Sequence, residues 1–326
     1  MWYSAIGGIV TLILGILTAP LTADAQRPGK VYRLGILAPQ PWPPFEAFRQ
    51  QLHDLGYAER HNLVLEYRWA EGWSERFPEL AAELVRLPVD VIVTWTTPAA
   101  LAAQRATASI PIVMAAIGDA VGAGLVASLA RPGGNITGFT AINPDVEGKR
   151  LEFLKAVVPQ ATRIALLWNP ANPRLHALIV QETQRAAQAL GIQVQLVEAG
   201  SVSGFEPAFA AMTQERADAL IVAPDAEFIF HRAQIAELAA KYRLPAVYLH
   251  RDLVEAGGLM AYTPDYDHLF RRAAIYVDKI FKGAKPGDLP VEQATMFKLI
   301  INLKAAKALG LTIPATLLFQ ADEVLR

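Results

Sequence analysis

Five short polar segments, each following an apolar run and each marked by proline or glycine, hold most of the residues able to meet a small molecule. They are Ala38-Pro39-Gln40-Pro41-Trp42, Thr96-Thr97-Pro98-Ala99, Ile117-Gly118-Asp119, Asn169-Pro170-Ala171-Asn172-Pro173 and Pro224-Asp225-Ala226-Glu227. Each opens onto a helical pattern. A helix N-terminus carries unpaired N–H groups and the positive end of the dipole, which suits a carboxylate. Asp119 and Asp225 have the charge to take an ammonium group, and Trp42, Trp95, Tyr248 and Tyr262 have rings able to stack on an apolar ligand. The same residues also have purely structural uses. Thr97, Asn172 and Asp225 are good N-caps, Arg251 reads as a solvated surface arginine as readily as a carboxylate binder, and aromatics at strand ends commonly belong to a core. What favours a binding site is their joint occurrence in both halves of the chain, because a cleft between two lobes gathers such loops.

Other chemistries find little support. The chain has no cysteine, which removes disulfides, thiolate metal sites, cysteine nucleophiles and a lipoprotein anchor together. The six histidines, His53, His61, His176, His231, His250 and His268, have no metal-ligand spacing. Neither a dinucleotide fingerprint, a phosphate loop nor a serine nucleophile elbow is present. Lys and Arg total 30 against 31 Asp and Glu, with no basic block for nucleic acid. The expectation is therefore no metal, no cofactor and no nucleic-acid partner.

The elements that must carry these loops alternate from residue 31 onward. Strand patterns at 31–37, 63–69, 89–95 and 110–115 are separated by helical patterns with apolar residues at i, i+3 and i+4, such as Leu80, Leu84 and Leu87. A turn cluster, Arg131-Pro132-Gly133-Gly134, interrupts the series. A second series follows, with strands at 164–168, 193–198, 219–223 and 246–249 and helices at 147–158, 173–190, 205–215 and 226–242. Alternation of this kind predicts an α/β fold of two doubly wound parallel-sheet lobes, joined near residue 138. The last stretch, 258–326, is too short for a third domain and is expected to return the chain to both lobes. At the other end, residues 5–17 are uncharged and apolar over the length of a signal-peptide core, and Ala23-Asp24-Ala25 precedes Gln26 as a signal peptidase requires. This predicts export, with residues 1–25 removed, into the periplasm.

The run Gly118-Asp119-Ala120-Val121-Gly122-Ala123-Gly124-Leu125-Val126-Ala127-Ser128-Leu129-Ala130-Arg131-Pro132-Gly133-Gly134-Asn135-Ile136-Thr137-Gly138 strongly resembles the signature of ABC transporter substrate-binding proteins related to tryptophan and tyrosine binders. Thr97-Pro98-Ala99-Ala100, Asn169-Pro170-Ala171-Asn172-Pro173 and Val254-Glu255-Ala256-Gly257-Gly258-Leu259-Met260-Ala261-Tyr262 fit the same family. The resemblance implies a type I periplasmic-binding fold with a three-crossing hinge, and transport in place of catalysis. On it, lobe 1 comprises 30–138 plus about 265–296, and lobe 2 comprises 139–264 plus about 297–326. It implies a monomer that takes a small solute, an amino acid or related carboxylate, and docks on an inner-membrane permease. Ligand contacts are expected from Gln40, Trp42, Thr96, Thr97, Ala99, Ile117, Gly118, Asp119, Asn169, Asn172, Asp225, Tyr248 and Tyr262. Gly134, Gly138, Tyr262 and Thr263 are the expected hinge. One departure is Trp95, which stands where relatives have a small residue and is expected to fill part of the pocket. Two rivals stay open: a sensing partner of a membrane receptor, and an enzyme using Asp119 or Asp225 as general base.

Overall fold

The structure is a computed structural model that describes residues 30–143, 146–171 and 173–326. The expected signal segment over 1–25 and the expected ligand contact Asn172 lie outside the described residues.

Apolar runs bounded by turns become central strands, and mixed runs become edges. β1 (Tyr32–Ala38), β2 (Leu63–Trp69), β3 (Val91–Thr94), β4 (Ile112–Ile117), β5 (Ile136–Thr140) and the short β11 (Glu292–Gln293) form one sheet in the order β11-β5-β4-β3-β1-β2. Every residue of β3, β4 and β5 is buried, as expected of a strand covered on both faces, whereas β2 at the edge buries only Leu63. The second sheet holds β6 (Arg163–Trp168), β7 (Gln193–Glu198), β8 (Ala219–Val222), β9 (Ala246–Tyr248), β10 (Met260–Pro264), β12 (Phe297–Asn302) and β13 (Glu323–Leu325), in the order β13-β12-β10-β9-β8-β6-β7. All pairings are parallel except β10 with β12. Chain order and sheet order together put three passages between the sheets: after β5, between β10 and the helix after it, and between β11 and β12.

Helices cover the faces. α1 (Pro44–Asp54) and α2 (Phe77–Arg86) each begin with proline at the first or second position, where the missing N–H costs nothing. α2 buries Phe77, Leu80, Ala81 and Leu84, the i, i+3, i+4, i+7 stripe. α3 (Thr97–Ala106) follows β3, and α4 (Val146–Val157) follows the first passage. α5 (Pro173–Ala189) and α6 (Val202–Gln214) flank β7. The single helix expected over 226–242 is two, α7 (Ala226–Phe230) and α8 (Arg232–Lys241). His231 breaks it at ψ 28°, where its ring packs between Phe205 and Phe230. α9 (Arg251–Glu255) leads to β10, and α10 (Tyr266–Phe281) returns across to pack on α1 and β4. α11 (Leu303–Leu309) ends at Gly310 in the left-handed region. α12 (Ala315–Gln320) and β13 close the chain; neither was expected from the sequence. Among the described residues no helix is long and apolar enough to cross a membrane.

The turn cluster and Gly138 differ from their expected hinge role. The chain leaves the first sheet after Thr140, so Gly134 sits before β5, at the strand end remote from the passage. Gly138 lies inside β5 at φ +132°, paired with Met114, and a Cβ there would stand 2.1 Å from the Met114 carbonyl oxygen. Its lack of a side chain serves strand contact, not bending.

Candidate functional site

In parallel sheets, binding loops leave the carboxyl ends of the strands. The ends of β1, β3 and β4 carry Trp42, Thr96 to Ala99 and Ile117 to Asp119 on one edge of the first sheet. The ends of β6, β8 and β9 carry Asn169, Asp225 and His250 on one edge of the second. These edges meet. The Trp42 ring lies 5.9 Å from the His250 ring, 4.6 Å from Tyr266 and 5.5 Å from Phe270. The His250 ring stacks on Tyr266 at 5.0 Å, with 3.0 Å between Nε2 and the tyrosine hydroxyl. Removal from water pushes the His250 pKa down to about 4, helped by the Arg150 charge and opposed by Asp252. A second meeting lies at the rim, where a Cβ on Gly72, beyond β2, would touch the Phe230 ring at 3.6 Å.

The passages between the sheets are laced together. Ala294 N–H donates to Thr140 O at 2.9 Å, Asn143 Nδ2 to Ala294 O at 3.3 Å, and Gln293 Nε2 to Ile142 O at 3.4 Å. Asp265 N–H donates to Met296 O at 2.8 Å, and its carboxylate meets Lys298 Nζ at 3.0 Å. Tyr262 and Thr263 stand beside this lacing at the end of β10. The Tyr262 ring packs edge-on against Phe153 at 5.1 Å and against Phe297 at 5.4 Å.

On the first-lobe edge, Thr96, not Thr97, occupies the N-cap of α3, and it makes no side-chain cap bond. The usual donor at the second helical position is Pro98, which has no N–H. The Thr96 hydroxyl is buried and has no partner. Ala99 and Ile117 are buried, Gly118 and Asp119 half-buried, and Gln40 exposed. Asp119 Oδ1 accepts from the N–H groups of Val121 (3.0 Å) and Gly122 (2.9 Å), so this carboxylate caps its own turn. Trp95 departs from its expected place. It is 6% exposed and packs among Phe45, Trp69 and Phe270, a core residue of the first lobe.

On the second-lobe edge, Asn169 and Asp225 engage each other. Asn169 Nδ2 donates to Asp225 Oδ1 at 3.1 Å, and that oxygen also accepts from Glu227 N–H at 2.9 Å. Asn169 Oδ1 accepts from Ala171 N–H at 2.9 Å. The fully buried His176 sets Nδ1 2.8 Å from Asn169 O and Nε2 3.1 Å from Pro224 O, and lies 4.0 Å from the Asp225 carboxylate. This cluster ties β6, β8 and α5 together. Tyr248 also differs from its expected role as a ligand contact. It is fully buried on the face covered by α6, α8 and α9, against Gly258, with its hydroxyl unpartnered.

Sequence reasoning missed a buried ion pair in α4. Glu147 and Arg150 side chains are each 3% exposed and hydrogen-bonded together. Arg150 also donates to Tyr262 O from Nε (3.2 Å) and Nη2 (3.1 Å). An i, i+3 charge pair opening a helix reads as a solvated surface pair, whereas here the pair is buried and tied to the end of β10. Trp168, at the end of β6, was read only as strand; its indole N–H is buried without a partner. Among the described residues no three His, Cys, Asp or Glu side chains are grouped to hold a metal ion.

Two parallel α/β sheets with three passages and facing strand ends define a type I periplasmic-binding fold. Leucine-binding protein LivK of Thermotoga maritima shares that fold at TM-score 0.59 and 13% identity, over 79% of this chain and 85% of that one. Residues 45–325 match the ABC transporter substrate binding protein family, and the chain belongs to it. It is 28% identical to the tyrosine-binding protein of Clostridioides difficile over 268 residues, 82% of this chain and 76% of that one. It superposes on the Streptococcus pneumoniae ABC domain in complex with L-Trp at TM-score 0.82 and 28% identity, over 90% of this chain and 99% of that one. A ligand-free, open substrate binding protein from Clostridium difficile gives TM-score 0.73 and 25% identity, over 90% and 99%.

Proposed function

We propose that this protein is the extracytoplasmic receptor of an ABC importer and that it encloses an aromatic L-amino acid between its lobes. The observation that carries the reading is the meeting of Trp42, at the end of β1, with His250, at the end of β9: the two ligand-bearing edges face one another. The unpartnered Thr96 hydroxyl and the free amides of the first turn of α3 supply donors for the carboxylate. Trp42 and Tyr266 supply rings for the side chain. The laced passages act as the hinge, and a ligand touching both lobes stabilises the closed form. Greater likeness to the L-Trp complex than to the ligand-free, open relative supports a closed arrangement.

The export segment, cleavage after Ala25, a monomeric state and docking on an inner-membrane permease belong to the same proposal. Transport is favoured over catalysis because Asp119 and Asp225, the carboxylates an enzyme would have used, both accept bonds from backbone N–H groups. The test is calorimetry and small-angle scattering on protein purified as the cell processes it, with L-tryptophan, L-tyrosine and L-leucine. Tight binding of an aromatic amino acid and a smaller radius of gyration are expected. Absence of binding, or tight binding with unchanged scattering, overturns the reading.

A further inference from the structure

We propose that Glu147 anchors the ammonium group of the bound amino acid, an inference that rests on the amino-acid reading above. Glu147 Oε1 is held by Arg150, but Oε2 is buried and has no hydrogen-bond partner. The other buried acids shown differ in this respect. Asp225 accepts from Asn169 and Glu227, and Asp278 from Tyr57 and Lys282. An ionised carboxylate only accepts, and leaving a buried acceptor empty is costly, more so when it is charged. Such a group calls for a donor that arrives from outside the chain.

Its position fits the cleft floor. Glu147 lies in the first turn of α4, directly beyond the first passage between the sheets. Through Arg150 it is fixed to the Tyr262 carbonyl, beside the second passage. The Arg150 charge is felt by His250, on the second-lobe side of the contact with Trp42, and by Tyr266, at the start of α10. An ammonium group, a compact cation with several N–H donors, supplies what Oε2 lacks. The Thr96 hydroxyl, on the first-lobe edge, has a proton to donate to the carboxylate, so the two ends of a zwitterion are divided between the lobes.

The test is calorimetry with L-tryptophan and L-tyrosine beside their des-amino analogues, 3-(indol-3-yl)propionate and 3-(4-hydroxyphenyl)propionate. The wild-type protein is expected to bind the amino acids about 30-fold or more tighter than the analogues, the loss typical when one partner of a desolvated charged contact is removed. Glu147→Gln, which keeps an acceptor for Arg150, is expected to weaken the amino acids by a similar factor and leave the analogues unchanged. Equal wild-type affinity for amino acid and analogue overturns the proposal without any variant. So does a folded Glu147→Gln protein that binds the amino acids normally or weakens both classes alike. If neither amino acid binds the wild-type protein, the amino-acid reading fails, and this proposal with it.

Discussion

Replacing Gly138 by alanine tests whether this glycine is present for strand contact. The φ of +132° is a region open essentially to glycine, and an alanine held there costs about 1–3 kcal/mol. The added Cβ would stand 2.1 Å from Met114 O, 2.6 Å from its N and 2.8 Å from its C, all backbone atoms of a buried neighbouring strand. The oxygen is over 1 Å inside a tolerable contact, so β4 and β5 must separate locally, and each ladder bond lost adds about 1 kcal/mol. The sum is about 3–5 kcal/mol, read as a lower urea midpoint at unchanged slope and a fall in Tm of roughly 10 °C. Gly134 is the built-in control. Nothing lies within 4 Å of its added Cβ, so Gly134→Ala should stay within about 0.5 kcal/mol of wild type. A Gly138→Ala loss below about 1 kcal/mol, or equal losses at the two glycines, would refute the reasoning.

Tyr248→Phe removes a buried hydroxyl that has no partner, so stability should hold or rise by up to about 1 kcal/mol while ligand affinity stays unchanged. Thermal melts and calorimetry check both parts, and a weakened ligand would return Tyr248 to the site. His250 predicts an acid-labile fold. Its ring takes a proton near pH 6.5 in the unfolded chain but near 4 in the native one, so the unfolded state binds more protons between those values. Stability is full above pH 6.5 and is lost as the pH falls toward 4, by on the order of 2–3 kcal/mol. Urea midpoints of wild type and His250→Asn at pH 7.5 and 4.5 measure it; parallel losses in the two proteins would remove His250 as the cause.

How much of the site was legible depends on what kind of signal each residue leaves. Asp225 was readable as a cap, since a side-chain oxygen before a helix bonds to N–H groups within the next turn. The cap of α3 is Thr96 and not Thr97, a one-residue choice that two adjacent threonines leave open in the sequence. Trp95 and Tyr248 looked like ligand aromatics because both sit at strand ends. Which face of a sheet a strand-end ring turns to depends on the helices packed there, and both turned to core. The Glu147–Arg150 pair left no signal, since exposed and buried ion pairs have the same spacing.

By itself the sequence determined the two α/β series, the apolar strands, the loops at their carboxyl ends and the family resemblance. All of these are local patterns of periodicity, turn chemistry and motif. Only the tertiary structure decided that the chain first leaves the first sheet after Thr140, that Gly138 is pressed against Met114, and that one carboxylate oxygen of Glu147 is buried without a partner. Those facts depend on segments distant in the chain coming together, and neither spacing nor composition carries that information.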